Sequence, residues 1–451
     1  MLRQGIDGYK GKKVLLLQWP VGPFFARLAE DLRSVGAQVY KVNFNAGDWL
    51  FYRQGAVAFD QPLAAWPAFF TELLNQWQID VVLLFGDCRP VHAAAHPIAT
   101  ARGVEVGVFE EGYLRPNHIT LERNGVNGHS DLPRCPQHYL ALPESNDATE
   151  RKARPVPSTY WHMVWWGFCY FTVGALGKPW FPHRVHHRQL NILEALPWLR
   201  SAWRKVWYRF TERGVLPHLL QHRSGRFFVV PLQVHNDTQV HVHSQYEGVE
   251  PFIEEVMRSF AASAAPHTAL VIKHHPMDRG YTNYSQFIAK LAGQLGLAKR
   301  CFYIHDQHLP TLLDHATGVV VINSTVGLQA LRHGVGTKAM GDAIYNLPGL
   351  SYQGSLDAFW NEARSAKPDA RLLGQFVRHL KETSQINGSF YRAMKGTGWR
   401  AGVAWPKAAP ALSQAEAQAA AHIEAAPDMN LELHLDFQVS SNDPVTLSKA
   451  A

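Results

Sequence analysis

Long apolar runs with no polar alternation recur along this chain, separated by helix-patterned segments, and the pattern occurs twice. In the first half the runs are "KVLLLQ", "QVYKVNF", "DVVLLFG" and "VEVGVF". Between them stand "FFARLAEDLRSVG", "LAAWPAFFTELLNQW" and "HAAAHPIATARG". A strand that is apolar on every residue is buried on both faces, and this requires a parallel sheet covered by helices on each side. The grammar restarts at Arg226 with "RFFVVPLQ", "TALVIKHHP", "RCFYIHD" and "GVVVIN". Their intervening helices are "PFIEEVMRSFAASA", "YSQFIAKLAGQLG", "LPTLLDHA" and "TVGLQALRHG". The expected fold class is therefore α/β, with two Rossmann-like domains facing a cleft. Ligands in such sheets bind beyond the carboxyl ends of the strands. "ITLERNGVNGHS" reads as a small hairpin turning at Asn124-Gly125. The sequence has no short-period repeat, and neither half carries the glycine pattern of a dinucleotide site.

The boundaries that follow are an N-terminal domain over 1–150, an insert over 151–225, a second α/β domain over 226–390, and a C-terminal helix with a flexible tail over 391–451. The insert differs in kind. Seven of the chain's 14 tryptophans fall within it, among many Lys and Arg residues, with acids only at Glu194 and Glu212. Indole rings favour the lipid headgroup boundary, and each Lys or Arg gains about 1 kcal/mol near an anionic surface. Membrane contact is the preferred reading; the alternative is a helical insert whose tryptophans pack on the core. No recognised nucleic-acid module accompanies the basic residues, so nucleic acid is not expected as a partner. No run reaches the roughly 18 apolar residues of a spanning helix. The four cysteines lie far apart with no Cys-x-x-Cys pair. That argues for a reducing compartment and against a disulfide framework. The expected location is cytoplasmic, peripheral to a membrane. The Ala- and Pro-rich stretch after Trp405 reads as a mobile appendage.

Polar clusters sit at three strand ends. Glu110-Glu111-Gly112 is followed by Arg115; Lys273, His274, His275 and Pro276 close a strand in the second half; Asn323, Ser324 and Thr325 stand between a strand and a helix. Hydroxyls and free N–H groups at a helix start suit a phosphate. Ser324 equally suits a plain N-cap, and His275 a packed core histidine. Taken together, the clusters describe a phosphate held by one domain while a carboxylate faces it from the other, an arrangement that fits a sugar nucleotide. Gln233, Asn236 and Asp237 either read the nucleotide or cap a turn. Asp87, in "FGDCRP", is an outside candidate for acceptor binding, or an acid at a helix start. His183, His186 and His187, and His241 with His243, lie close in sequence. They do not form a zinc-protease pattern, so no metal is expected.

The order Glu-Glu-Gly, His-Pro, Ser-Thr resembles three short motifs of bacterial transferases that use CMP-activated acidic sugars. "FEEGYLRP", "ITLERNGVNGHS", "PLQVHNDTQVHVHS", "KHHPMDRGY" and "NSTVGLQALRHGVGTKAMGDAIYNLPG" resemble the capsule polysaccharide synthesis/export family, more narrowly its KpsS/LipB-type β-Kdo transferases, over residues 12–390. The resemblance implies a GT-B-like enzyme at the inner face of the cytoplasmic membrane. It would use CMP-β-Kdo as donor substrate, without a further cofactor, to start the poly-Kdo linker of a capsular polysaccharide on a lyso-phosphatidylglycerol acceptor, with retention. Other capsule assembly and export proteins are its implied partners. The family often has Glu-Asp-Gly where this chain has Glu110-Glu111-Gly112, so Glu111 is the leading catalytic carboxylate and Glu110 its alternative. With retention by double displacement it is the nucleophile; otherwise it is the base that deprotonates the acceptor. His275 would hydrogen-bond the departing CMP phosphate. Arg115 and Lys273 are candidates for the sugar carboxylate, unless Arg115 pairs with Glu111. Two rival functions stay open: an inverting transferase of another CMP-activated acid, and a non-catalytic export scaffold.

Overall fold

The computed structural model describes residues 5–19, 21–143, 153–191, 193 and 195–406. Arg151, Lys152, Glu194 and the tail from 407 onward, which entered the reading above, lie outside the described residues.

Among the described residues, twelve strands form two sheets. The first comprises β1 (Lys13–Leu16), β2 (Gln38–Asn43), β3 (Ala56–Ala58), β4 (Val81–Phe85), β5 (Glu105–Glu111) and β6 (His118–Arg123), completed by β12 (Gln385–Asn387). The second comprises β7 (Phe227–Pro231), β8 (Ala269–Lys273), β9 (Cys301–Ile304), β10 (Gly318–Val321) and β11 (Gly336–Ala339). The first sheet runs β12-β6-β5-β4-β1-β2-β3 and the second β11-β10-β7-β8-β9. β1 to β5 and β7 to β11 are parallel and share one order, reversing beside the first strand of each set. In a doubly wound sheet that reversal opens a crevice at the carboxyl ends. In the second domain it falls between β7 and β10, which run into Gln233 and Asn323.

The apolar runs are dry, as their composition requires. Val14 and Leu16 of β1 face one buried cluster with Phe24, Phe25 and Leu28, while Leu15 and Leu17 face another with Phe44, Trp66 and Phe70. The second sheet divides in the same way: Phe227 and Val229 serve one face and Phe228 and Val230 the other.

Three sequence expectations change. "ITLERNGVNGHS" is not a hairpin by itself. β6 pairs back on β5, and after Asn124 (φ 65°) the chain enters a 3-10 turn at Asn127–His129 rather than a second strand. Residues 391–406 contain no helix. Instead the chain leaves the helix Ala370–Thr383, adds β12 antiparallel to β6, and packs Phe390, Val403 and Trp405 into the first domain's core. The first domain therefore reclaims the residues after 384, and a boundary at 390 cuts through it.

The insert is not a separate body. Helix Tyr160–Leu176 lies on helix Ala46–Phe51 of the first domain, where Tyr170 donates its hydroxyl to Asp48 at 2.9 Å. A Cβ on Gly47 would fall 2.8 Å from the Tyr170 carbonyl oxygen, so this contact requires glycine. Helix Ala195–Thr211 is fastened to the second domain, with Arg204 donating to the carbonyls of Arg279 (2.6 Å) and Thr282 (3.2 Å). Trp166 packs against Phe51, but Trp161 (75% exposed), Trp165, Trp180, Trp203 (61%) and Trp207 do not enter the core. No helix among the described residues is long and apolar enough to cross a membrane.

Candidate functional site

The carboxyl ends of the two sheets open onto one cleft of about 1000 Å³. All but Gly112 of the residues singled out at the three polar strand ends line it: Glu110, Glu111 and Arg115 from the first domain, and Lys273, His274, His275, Pro276, Asn323, Ser324 and Thr325 from the second. Asp87, Gln233 and Asn236 line it as well.

The first-domain wall is built by β5. Successive residues of a strand point to opposite faces, yet here the strand ends at the cleft, so both glutamates reach it. The half-buried Glu110 folds back, its Oε1 accepting the Glu111 backbone N–H at 2.8 Å. Burial is the main cause that pushes its carboxyl up to about 7, with the charges of Glu111 and of Asp237, a second-domain residue, adding to it. Arg89 opposes that shift; its guanidinium is buried over the Phe85 ring at 5.0 Å. Glu111 accepts a hydrogen bond from the Tyr391 hydroxyl at 3.1 Å. Arg115 makes no ion pair with Glu111 among the described residues; its Nε donates to the Gly112 carbonyl at 3.3 Å.

On the opposite wall, His275 Nδ1 accepts the Met277 backbone N–H at 3.2 Å. Burial, then the nearby Arg115 and Lys273 charges, push this imidazole down to about 4, so it is neutral at pH 7. With Nδ1 occupied as an acceptor, the ring proton belongs on Nε2, and His275 offers a hydrogen-bond donor. The Lys273 ammonium is buried, donates to the His305 carbonyl at 2.8 Å, and is pushed down to about 8 by that burial. It serves first as a strut of the wall. His305 is itself held by Glu212 at the end of the tryptophan-bearing helix, its N–H donating to Oε2 at 2.9 Å.

Ser324 is the N-cap of helix Thr325–Arg332, its Oγ accepting the Val326 N–H at 3.3 Å. Ser324, Thr325 and Val326 of this helix start line the cleft. The Tyr345 hydroxyl donates to the Ser324 carbonyl, over Gly327; a Cβ there would lie 2.1 Å from the Tyr345 oxygen. Asn323 braces the site, its Nδ2 donating to the carbonyls of Gln239 (2.8 Å) and His243 (3.1 Å). Asp237 caps the short helix Thr238–Val242 and accepts from Gln233 at 3.1 Å, so both are turn-forming residues that also line the wall. Asp87 is not the acid at a helix start: Arg89 occupies the N-cap of Pro90–Thr100, and Asp87 instead lies 3.0 Å from His129 Nδ1.

Several lining residues escaped the sequence reading: Arg89, Tyr113, Asn127, Arg188, Asp306 and Arg332. Arg89 was within reach, since it follows the end of β4 by four residues. Arg188 comes from the insert and Tyr391 from the returning C-terminal segment, and no local pattern places either.

Residues 80–391 match the model of the capsule polysaccharide biosynthesis protein family. The chain is 42% identical over 384 residues to the capsule polysaccharide export protein KpsS of Escherichia coli, covering 84% of this chain and 97% of that protein. It is 38% identical over 386 residues to the capsule polysaccharide modification protein LipB of Neisseria meningitidis serogroup B, covering 84% and 92%. Among solved structures, the β-Kdo 2,7 transferase KpsC of Thermosulfurimonas dismutans aligns with a TM-score of 0.38 at 16% identity, over 81% of this chain and 89% of that one. The chain belongs to the capsule polysaccharide biosynthesis family.

Proposed function

We propose that this protein is a retaining glycosyltransferase that moves Kdo from CMP-β-Kdo to lyso-phosphatidylglycerol, initiating the poly-Kdo linker of a capsular polysaccharide. One observation carries the reading: the Glu110-Glu111 pair and the donors of His275 and the Ser324 helix start line the same cleft from opposite domains. The CMP phosphate sits at the helix start, where dipole and free N–H groups favour an anion, with His275 donating from Nε2. Arg89, Arg115, Arg188 and Arg332 line the cleft among its acids, and their guanidinium groups suit a donor bearing both a phosphate and a sugar carboxylate.

In the first step the Glu111 carboxylate attacks the anomeric carbon. The bond from that carbon to the CMP phosphate oxygen breaks, and CMP departs with the electron pair. In the second step the acceptor hydroxyl attacks the same carbon and the glycosyl–Glu111 ester bond breaks, restoring the carboxylate. Glu110, poised near neutrality, takes the hydroxyl proton. Stabilising the phosphate charge matters more than protonating it, because CMP is a good leaving group. The exposed indoles of the insert would bring the cleft to the lipid surface where the acceptor resides, on the inner face of the membrane with other capsule assembly proteins.

Incubation with CMP-Kdo and a fluorescent lyso-phosphatidylglycerol, followed by mass spectrometry and NMR of the anomeric centre, tests this reading. A lipid carrying Kdo in the donor's configuration is expected. An inverted centre would instead make the carboxylate a base, and absence of CMP release would leave a non-catalytic scaffold.

A further inference from the structure

Beside the cleft, four metal-ligating side chains from three distant segments converge. Asp87 and Cys88 follow β4, His129 ends the 3-10 turn after β6, and His243 comes from the second domain. One ligand atom of each lies within 4.8 Å of all the others. The individual spacings are 3.3 Å from Cys88 Sγ to Asp87 Oδ1, 3.6 Å from Cys88 Sγ to His243 Nε2, and 3.0 Å from His129 Nδ1 to Asp87 Oδ2. Tetrahedral zinc, with Zn–S of about 2.3 Å and Zn–N of about 2.0–2.1 Å, sets ligand–ligand edges of roughly 3.3–3.6 Å.

We propose that Asp87, Cys88, His129 and His243 form a zinc site that ties the two domains together at the edge of the cleft.

The backbone around the cluster brings these rings together. Asn124 and Asn127 adopt left-handed φ values of 65° and 59°, turning the chain so that His129 meets Asp87. At Gly128 a Cβ would lie 2.2 Å from His243 Nδ1, so only glycine lets the second-domain imidazole approach this turn. His243 is buried and fixed through its carbonyl, which accepts from Asn323 Nδ2 (3.1 Å) and the Asp342 N–H (2.8 Å). The donor set of one thiolate, two imidazoles and one carboxylate is that of zinc rather than of magnesium or calcium. The sequence hides the site because its ligands stand at 87, 88, 129 and 243, with no short ligand spacing beyond the adjacent pair.

The test is titration of the metal-stripped full chain with Co²⁺ and Zn²⁺. One equivalent of Co²⁺ should produce a thiolate-to-metal charge-transfer absorption that Zn²⁺ displaces, and Zn²⁺ should raise the melting temperature. The band should vanish in Cys88→Ser and weaken at least tenfold in apparent affinity in His129→Gln, a change at an exposed position that the fold tolerates. No charge-transfer band in the wild type, or a band undiminished in Cys88→Ser, would overturn the assignment.

Discussion

Tyr391 donates its hydroxyl to Glu111 at 3.1 Å across 280 positions of sequence, joining the returning C-terminal segment to the strand end that carries both glutamates. A hydrogen bond to a carboxylate contributes about 1.5–3 kcal/mol. If Glu111 is the attacking group, Tyr391→Phe should lower the transfer rate about tenfold or more, with CMP affinity and melting temperature little changed. The check is CMP release from CMP-Kdo in the presence of lyso-phosphatidylglycerol.

Glu110 gives the fold a pH dependence of definite sign. Its carboxyl is raised from the ordinary 4.5 to about 7, chiefly by burial. Between those values the folded chain holds a proton that the unfolded chain has released, so stability falls as pH rises from about 4.5 to about 7. The buried Glu122, hydrogen-bonded by Ser130 and also raised to about 7, contributes in the same direction. Chemical denaturation across this range should show a shallower slope in Glu110→Gln than in the wild type, with the Glu122 share persisting.

His275→Ala removes the donor assigned to the CMP phosphate. Losing a hydrogen bond to a charged group, about 1.5–3 kcal/mol, should weaken CMP binding about tenfold or more by calorimetry. Ser324→Ala removes an N-cap as well as a hydroxyl, so it should lower stability by about 1 kcal/mol besides weakening CMP.

Helix Ala195–Thr211 of the insert carries both an anchored side chain and exposed ones. Arg204 is committed to the Arg279 and Thr282 carbonyls, whereas Trp203 and Trp207 stack on each other at 5.8 Å and stay exposed. Replacing both indoles with Ala withdraws apolar area worth roughly 25 cal/mol per Å². Co-sedimentation with anionic liposomes should fall about tenfold, while CMP binding stays the same.

The central strands of both sheets were legible because a strand buried on two faces must be apolar throughout: β4 reads "VVLLF" and β10 "GVVV". The edges were not. β11 is "GTKA" and β12 is "QIN", too short and polar to stand out, and β12 finds its partner, β6, only after the chain has traversed the whole second domain. The site divides in the same way. Strand-end polar residues such as Glu110, His275 and Ser324 could be found because a polar group ending a dry strand needs a reason. Tyr391, Arg188 and the His129–His243 meeting depend on long-range packing that no local spacing encodes. Asn323, Asp237 and Ser324 do double duty, as braces or caps and as cleft wall, which sequence alone leaves as alternatives.

Glu111→Gln keeps the side chain's size while removing its charge, and thereby separates binding from chemistry. The variant should bind CMP as the wild type does, yet mass spectrometry should find no Kdo added to fluorescent lyso-phosphatidylglycerol. Product formed at the wild-type rate would take Glu111 out of the reaction, and with it the double displacement across this cleft.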